Sequence, residues 1–157
     1  MNAELNQTVL QATEEVFESL LGWNVQCGVP VEKTINSLSC ETSVVISFVG
    51  GISGAVMLKC SNRLAARMAS EMLGVEVPEG SEDMQDAVGE LMNMIVGAAK
   101  TAYARTSDNG SLKISLPTTI VGDRYVLHIN AEGTERVTLI EVSCPEEKLS
   151  LEVYLTG

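Results

Sequence analysis

The stretch EDMQDAVGELMNMIVGAAKTAYAR, residues 82–105, reads as one long helix. An α-helix turns about 100° per residue. Met84, Val88, Leu91, Ile95, Ala98 and Ala102 therefore share one side and form the expected core stripe. Asp86, Glu90 and Asn93, at i, i+4 and i+7, share the other side, and Gly97 continues it one turn later. Ser81 and Asp83 are the expected start of the helix. Gly89 and Gly97 stand mid-helix, where each costs about 1 kcal/mol relative to alanine. Glycine at such positions makes sense where another surface must come close. The outward face thus holds a carboxylate that can grip a cation beside a carboxamide that can hold a water. That pair suits hydrolysis of a bond that another protein presents.

Outward from this helix the chain alternates helical and strand-like patterns. Residues 4–21 repeat Leu5, Val9, Ala12, Val16, Leu20 and Leu21 at helical spacing, and Gly22 supplies a stop. A looser segment, 24–42, contains one short candidate strand near 25–31. The apolar runs 43–49 and 53–59 flank Gly50-Gly51 and read as a hairpin. Ser61-Asn62 can cap a helix over 62–73 that ends at Gly74, and 75–80 is a connector with Pro78. After a polar loop at 106–110, strands are expected near 112–121, 124–130, 136–143 and 148–156. Gly122-Asp123 and 144–147 are the expected turns. Leu149, Leu151, Val153 and Leu155 alternate with Ser150, Glu152, Tyr154 and Thr156, the pattern of a half-buried strand. This order predicts an α+β fold with long helices over one largely antiparallel sheet. A helix followed by hairpin strands occurs in both halves, which hints at a pseudo-duplication.

The length of 157 residues suits one domain, 1–157, with a real core. The net charge of −11 disfavours nucleic acid, whose phosphates reward Lys and Arg, and suits a basic patch on a protein partner. No apolar run approaches the roughly 20 residues of a membrane span, and the N-terminus has no secretory pattern. Cys27, Cys40, Cys60 and Cys144 lack C-x-x-C spacing, and the single histidine, His128, adds no zinc-ligand pattern. Reduced cytoplasmic thiols and no metal are the expectation. His128 lies in YVLHINA without a triad-like arrangement of Ser or Cys with Asp. Gly50-Gly51-Ile-Ser-Gly54 joins strands instead of opening a helix, so it fails as a phosphate-cradling loop. Met68, Met72, Met84, Met92 and Met94 read as core, with a methionine-lined partner groove as the alternative.

E-x-x-N alone equally describes a solvated helix face. The wider pattern is more specific. Asp86, three residues, Glu90, two residues, Asn93, and Pro117 some two dozen residues on resemble the signature of the CheC/CheX/FliY family of chemotaxis phosphatases. ELMNMIVGAA, SLPTTIVGDRY, SVVISFVGGISGAVMLKC and TVLQATEEVFESLLG resemble that family's segments as well, and the CheX type is the nearest. The resemblance covers nearly the whole chain.

The resemblance implies a CheC-like fold and a phosphatase acting on the aspartyl phosphate of a CheY-type response regulator. Asn93 would orient the attacking water and Glu90 would pair with the regulator's active-site lysine. Pro117 would support the motif. Phosphate and Mg²⁺ would both belong to the regulator, so the chain needs no cofactor of its own. Asp86, Gly97 and Lys100 are candidate partner contacts. For Asp86 the alternatives are helix start, motif support or rim contact, and for Lys100 a solvated side chain. A single copy of the motif favours CheX over CheC, and a homodimer through sheet-edge strands is implied. The competing reading is a catalytically silent docking module for a receiver domain or a flagellar switch protein.

Overall fold

The computed structural model describes residues 2–34, 39–108, 110–127 and 136–156. Helix α1 is Ala3–Leu21, followed by strands β1 (Gln26–Cys27), β2 (Val31–Thr34), β3 (Ser39–Val49) and β4 (Ser53–Cys60). Helices α2 (Asn62–Leu73) and α3 (Glu82–Thr106) come next, then β5 (Lys113–Ile114), β6 (Thr118–Val126), β7 (Arg136–Ser143) and β8 (Lys148–Thr156). Each helix begins on a polar cap: the side chains of Asn2, Ser61 and Ser81 accept the N–H groups of Leu5, Leu64 and Met84. Gly22 and Gly74 close α1 and α2 in the left-handed region, at φ 67° and 71°. Among the described residues, no helix is long and apolar enough to cross a membrane.

The strands form one sheet in the order β1-β7-β8-β4-β3-β5, with β2 also on β7 and β6 also on β3. Every pairing is antiparallel. Exchanging β1 with β5, β2 with β6, β3 with β7 and β4 with β8 maps each pairing onto another. Thus β2–β7 becomes β6–β3, β3–β4 becomes β7–β8, and β4–β8 maps onto itself. The pseudo-duplication is therefore carried by strand pairing, with its axis between β4 and β8. Helices α1, α2 and α3 cover one face, burying Phe17, Leu64, Met68, Leu91, Ile95 and Tyr103 against Ile46, Leu58, Ile140 and Leu151.

The structure corrects several expectations. The segment near 25–31 is two short strands, because Pro30 has no N–H to give a ladder. Pro117 divides the expected strand 112–121 in the same way. The expected turn at Gly122-Asp123 lies inside β6 as a bulge opposite Cys40–Thr42, with Arg124 at φ 135°. A Cβ on Gly122 would stand 2.9 Å from the Tyr125 ring, whose hydroxyl donates to the Ile120 carbonyl at 2.7 Å, so glycine serves this fold-back of the strand. His128 and the end of the expected strand 124–130 lie outside the described residues. The turn at 144–147 is present, with Cys144 and Glu147 bonded N–H to carbonyl in both directions. On α3, Ala98 and Ala102 are only half-buried, whereas Met92, Val96, Ala99 and Tyr103 are buried, because helices pack on both flanks of the stripe. Strand β8 is buried on both faces. Glu152 is fully enclosed, paired with Lys59 at 2.8 Å and hydrogen-bonded by the Tyr154 hydroxyl.

Candidate functional site

Helix α3 is 25 residues long and is anchored at its start and along one side. Ser81 caps it, and Gln85 donates its side-chain amide to the Gly80 carbonyl at 3.2 Å. Thr119 at the start of β6 donates to the Gln85 carbonyl at 3.4 Å. Gly89 is buried beneath the same strand start: a Cβ there would lie 3.4 Å from Thr119 Oγ1 and 3.6 Å from Pro117 Cγ. The surface approaching Gly89 is thus the chain's own Pro117 loop. At Gly97 no described residue lies within 4 Å of the point where a Cβ would stand, so this glycine leaves open space among them on the outward face.

The structure places Asp86, Glu90, Asn93 and Gly97 along one outward face, as their spacing predicts, with Pro117 set beside it over Gly89. Asp86 and Glu90 are exposed, while Asn93 is half-buried toward the β6 side. Among the described residues, no side-chain hydrogen bond or ion pair engages Asp86, Glu90 or Asn93. The packed helix fixes the backbone of the carboxylate and the carboxamide one turn apart, so binding an outside group has only their side chains left to order. Lys100 stands off from this group. It is half-buried and lines a narrow apolar crevice with Val96, Leu112 and Ile114.

Beside the site, Leu116 escaped the sequence reading, and Met94 departs from its expected place in the core. Leu116, just before Pro117, is 85% exposed, and Met94, next to Asn93, is 37% exposed and so is not core. The signal available was a large apolar residue held outward by a following proline.

The second half of the pseudo-duplication offers a counterpart. Asn6 precedes Pro30 by the same number of residues that separates Asn93 from Pro117. Asn6 is buried, donates weakly to Thr138 Oγ1 at 3.4 Å, and its Oδ1 has no partner among the described residues. Ala3 stands where the Glu-x-x-Asn spacing would need a carboxylate.

Elsewhere, a groove of about 540 Å³ is lined by Cys40, Lys59, Arg124, Glu141 and Lys148, with no contribution from α3. Its charges are mixed in sign and its two lysines are already paired with Glu152 and Glu141. Among the described residues, no group of three His, Cys, Asp or Glu side chains could hold a metal. The four cysteines are free thiols. Burial pushes Cys27 up to about 11 and Cys144 up to about 12, which keeps both protonated and unreactive near neutrality.

No curated protein matches the sequence. Solved structures do share the fold. The chemotaxis protein CheX from Desulfovibrio desulfuricans superposes with a TM-score of 0.87 at 24% identity, covering 97% of this chain and 99% of that one. A CheC-like superfamily protein from a Shewanella species gives 0.88 at 22% identity with 100% of both chains covered. The CheX of a CheX–CheY–BeF3–Mg complex from Borrelia burgdorferi gives 0.78 at 19% identity, with 97% of each chain covered. The family model described as chemotaxis phosphatase CheX matches residues 42–140, more than half of the sequence, including Asp86, Glu90, Asn93 and Pro117. The chain accordingly belongs to the CheX family of chemotaxis phosphatases.

Proposed function

We propose that this protein is a phosphatase that hydrolyses the aspartyl phosphate of a CheY-type receiver domain. The observation that carries the reading is the pairing of Glu90 and Asn93 on an outward, rigidly packed helix face, both free of internal partners among the described residues. Family membership and the Borrelia CheX complex with CheY support the partner class.

In this reading the Asn93 carboxamide enters the receiver's site and holds a water in line with the phosphorus–oxygen bond of the aspartyl phosphate. The water oxygen bonds to phosphorus, the receiver's carboxylate leaves, and inorganic phosphate is released. Glu90 accepts from a lysine of the receiver and fixes the two surfaces in register. Both contributions are positioning and electrostatics, the terms that dominate phosphoryl transfer. The Mg²⁺ belongs to the receiver, where it neutralises charge on the phosphoryl oxygens. Asp86 and Gly97 border the docking face, and Lys100 lies at its edge. We include in the proposal a homodimer through the outer strands β2 or β6, each paired on one side only among the described residues, and action in the cytoplasm.

The test is phosphate release from phosphorylated CheY-type receivers with Mg²⁺, with and without the protein. Acceleration is expected. Tight binding without acceleration would favour the silent docking module, and neither binding nor acceleration across several receivers would overturn the reading.

A further inference from the structure

Leu116 is an unusual kind of exposed leucine. Scattered surface leucines are ordinary, but this one is pinned on both sides. Ser115 donates its N–H to the Ser47 carbonyl at 2.9 Å and accepts the Ser47 N–H on its hydroxyl at 2.9 Å. The same hydroxyl donates to the Leu116 carbonyl at 3.0 Å. On the other side, Pro117 packs over Gly89 and has a fixed φ. A large apolar side chain, 85% exposed, is therefore held out from a braced corner and is not the tip of a slack loop.

The helix geometry of α3 fixes where this corner lies. Gly89, under Pro117, is about 100° from Glu90 on one side, and Met94 is about 40° from Glu90 on the other. Asn93 falls between Gly89 and Glu90. The order across the face is Leu116-Pro117, Asn93, Glu90, Met94. Pro117, with Leu116 just before it, and Met94 thus stand on the two sides of a polar centre, the layout in which surrounding apolar contacts exclude water from a few decisive polar groups.

We propose that Leu116 and Met94 form an apolar clamp that seats the phosphorylated receiver domain and closes the Asn93–Glu90 centre to bulk water. This deepens the phosphatase reading above and rests on it for the identity of the occupant. The clamp sets affinity and selects receivers with apolar side chains flanking their phosphorylated aspartate, while Asn93 sets the rate. The other half supplies an internal control. Val29 precedes Pro30 as Leu116 precedes Pro117 and is 82% exposed, but it has no Glu-x-x-Asn pair beside it.

The experiment is steady-state hydrolysis against concentration of the phosphorylated receiver for Leu116→Ser, Met94→Ser and Val29→Ser. All three positions are exposed, so the variants keep the fold. Leu116→Ser is expected to raise KM about tenfold, and Met94→Ser less, with kcat within about twofold, because the loss is of binding shared by ground and transition states. Val29→Ser is expected to leave both constants unchanged. Unchanged KM in the first two, a fall in kcat alone, or an equal effect of Val29→Ser would overturn the clamp. Loss of self-association in Leu116→Ser with KM unchanged would assign the leucine to a second copy of the chain, and would also overturn it. Should the wild type fail to accelerate hydrolysis, the phosphatase reading falls. The clamp is then read from the Kd for the phosphorylated receiver, and an unchanged Kd in Leu116→Ser refutes it separately.

Discussion

Asn93 on α3 and Asn6 on α1 stand at matching distances from Pro117 and Pro30, in two halves that strand pairing maps onto each other. Asn93 faces outward beside Glu90, with Leu116 held out at the corner. Asn6 is 2% exposed, turned toward Thr138, with Ala3 in the place of a carboxylate and Val29 at the corner. The backbone frame is common to both. What differs is which polar group reaches solvent and whether an acid stands one turn before it. A fold of this kind supplies a braced helix and a proline corner twice, and side chains decide which copy becomes a site.

Short of removing the Asn93 carboxamide itself, the largest effect expected comes from the shared axis. Lys59→Met strands Glu152 without its cation between β4 and β8 and should cost about 3–5 kcal/mol of stability, read by denaturant unfolding. Such a variant harms both halves together, whereas a site variant should harm one. Glu90→Ala sharpens the contrast next. It should reduce kcat/KM about tenfold and flatten the salt dependence of the rate, with unfolding unchanged. Ala3→Glu, which writes the missing acid into the α1 half, should restore nothing to a Glu90→Ala protein in the same assay, since Asn6 stays buried. Gly97→Ala should raise stability by about 1 kcal/mol through helix propensity and raise KM, because the methyl occupies open space on the docking face. The smallest effect is one of pH. Burial raises the Cys27 thiol from the ordinary value of 9.0 to about 11 and the Cys144 thiol to about 12. The folded state therefore holds these protons more tightly, so their contribution to stability is whole below pH 9 and is lost as pH rises through about 11 and about 12. Thiol alkylation near neutrality should be correspondingly slow.

Much of the fold was legible because it is local. Polar caps, left-handed glycines and 3.6-residue periodicity place all three helices, and Gly50-Gly51 places the β3–β4 hairpin. The outward face of α3 followed from the same periodicity. What the sequence hid depends on distant partners. The pairing of β2 with β7 and of β6 with β3 joins residues from opposite halves, and no local pattern sets that register. Gly122 looks like a turn until the Tyr125 ring is seen lying over it. Glu152 reads as the polar side of an alternating strand and Lys59 as the end of an apolar run, and their burial rests on their neutralising each other. Leu116 falls inside the expected strand 112–121, but the ladder breaks at Pro117 and leaves this leucine exposed.

The most direct test of the account is phosphate release from one phosphorylated receiver, in the presence of Mg²⁺, by the wild type, Asn93→Ala and Asn6→Ala at matched folded concentrations. Asn93→Ala is expected to lose the acceleration by more than about 100-fold while Asn6→Ala stays within about twofold of the wild type. An Asn93→Ala protein that still accelerates release, or an Asn6→Ala protein that is folded but equally inactive, would contradict it.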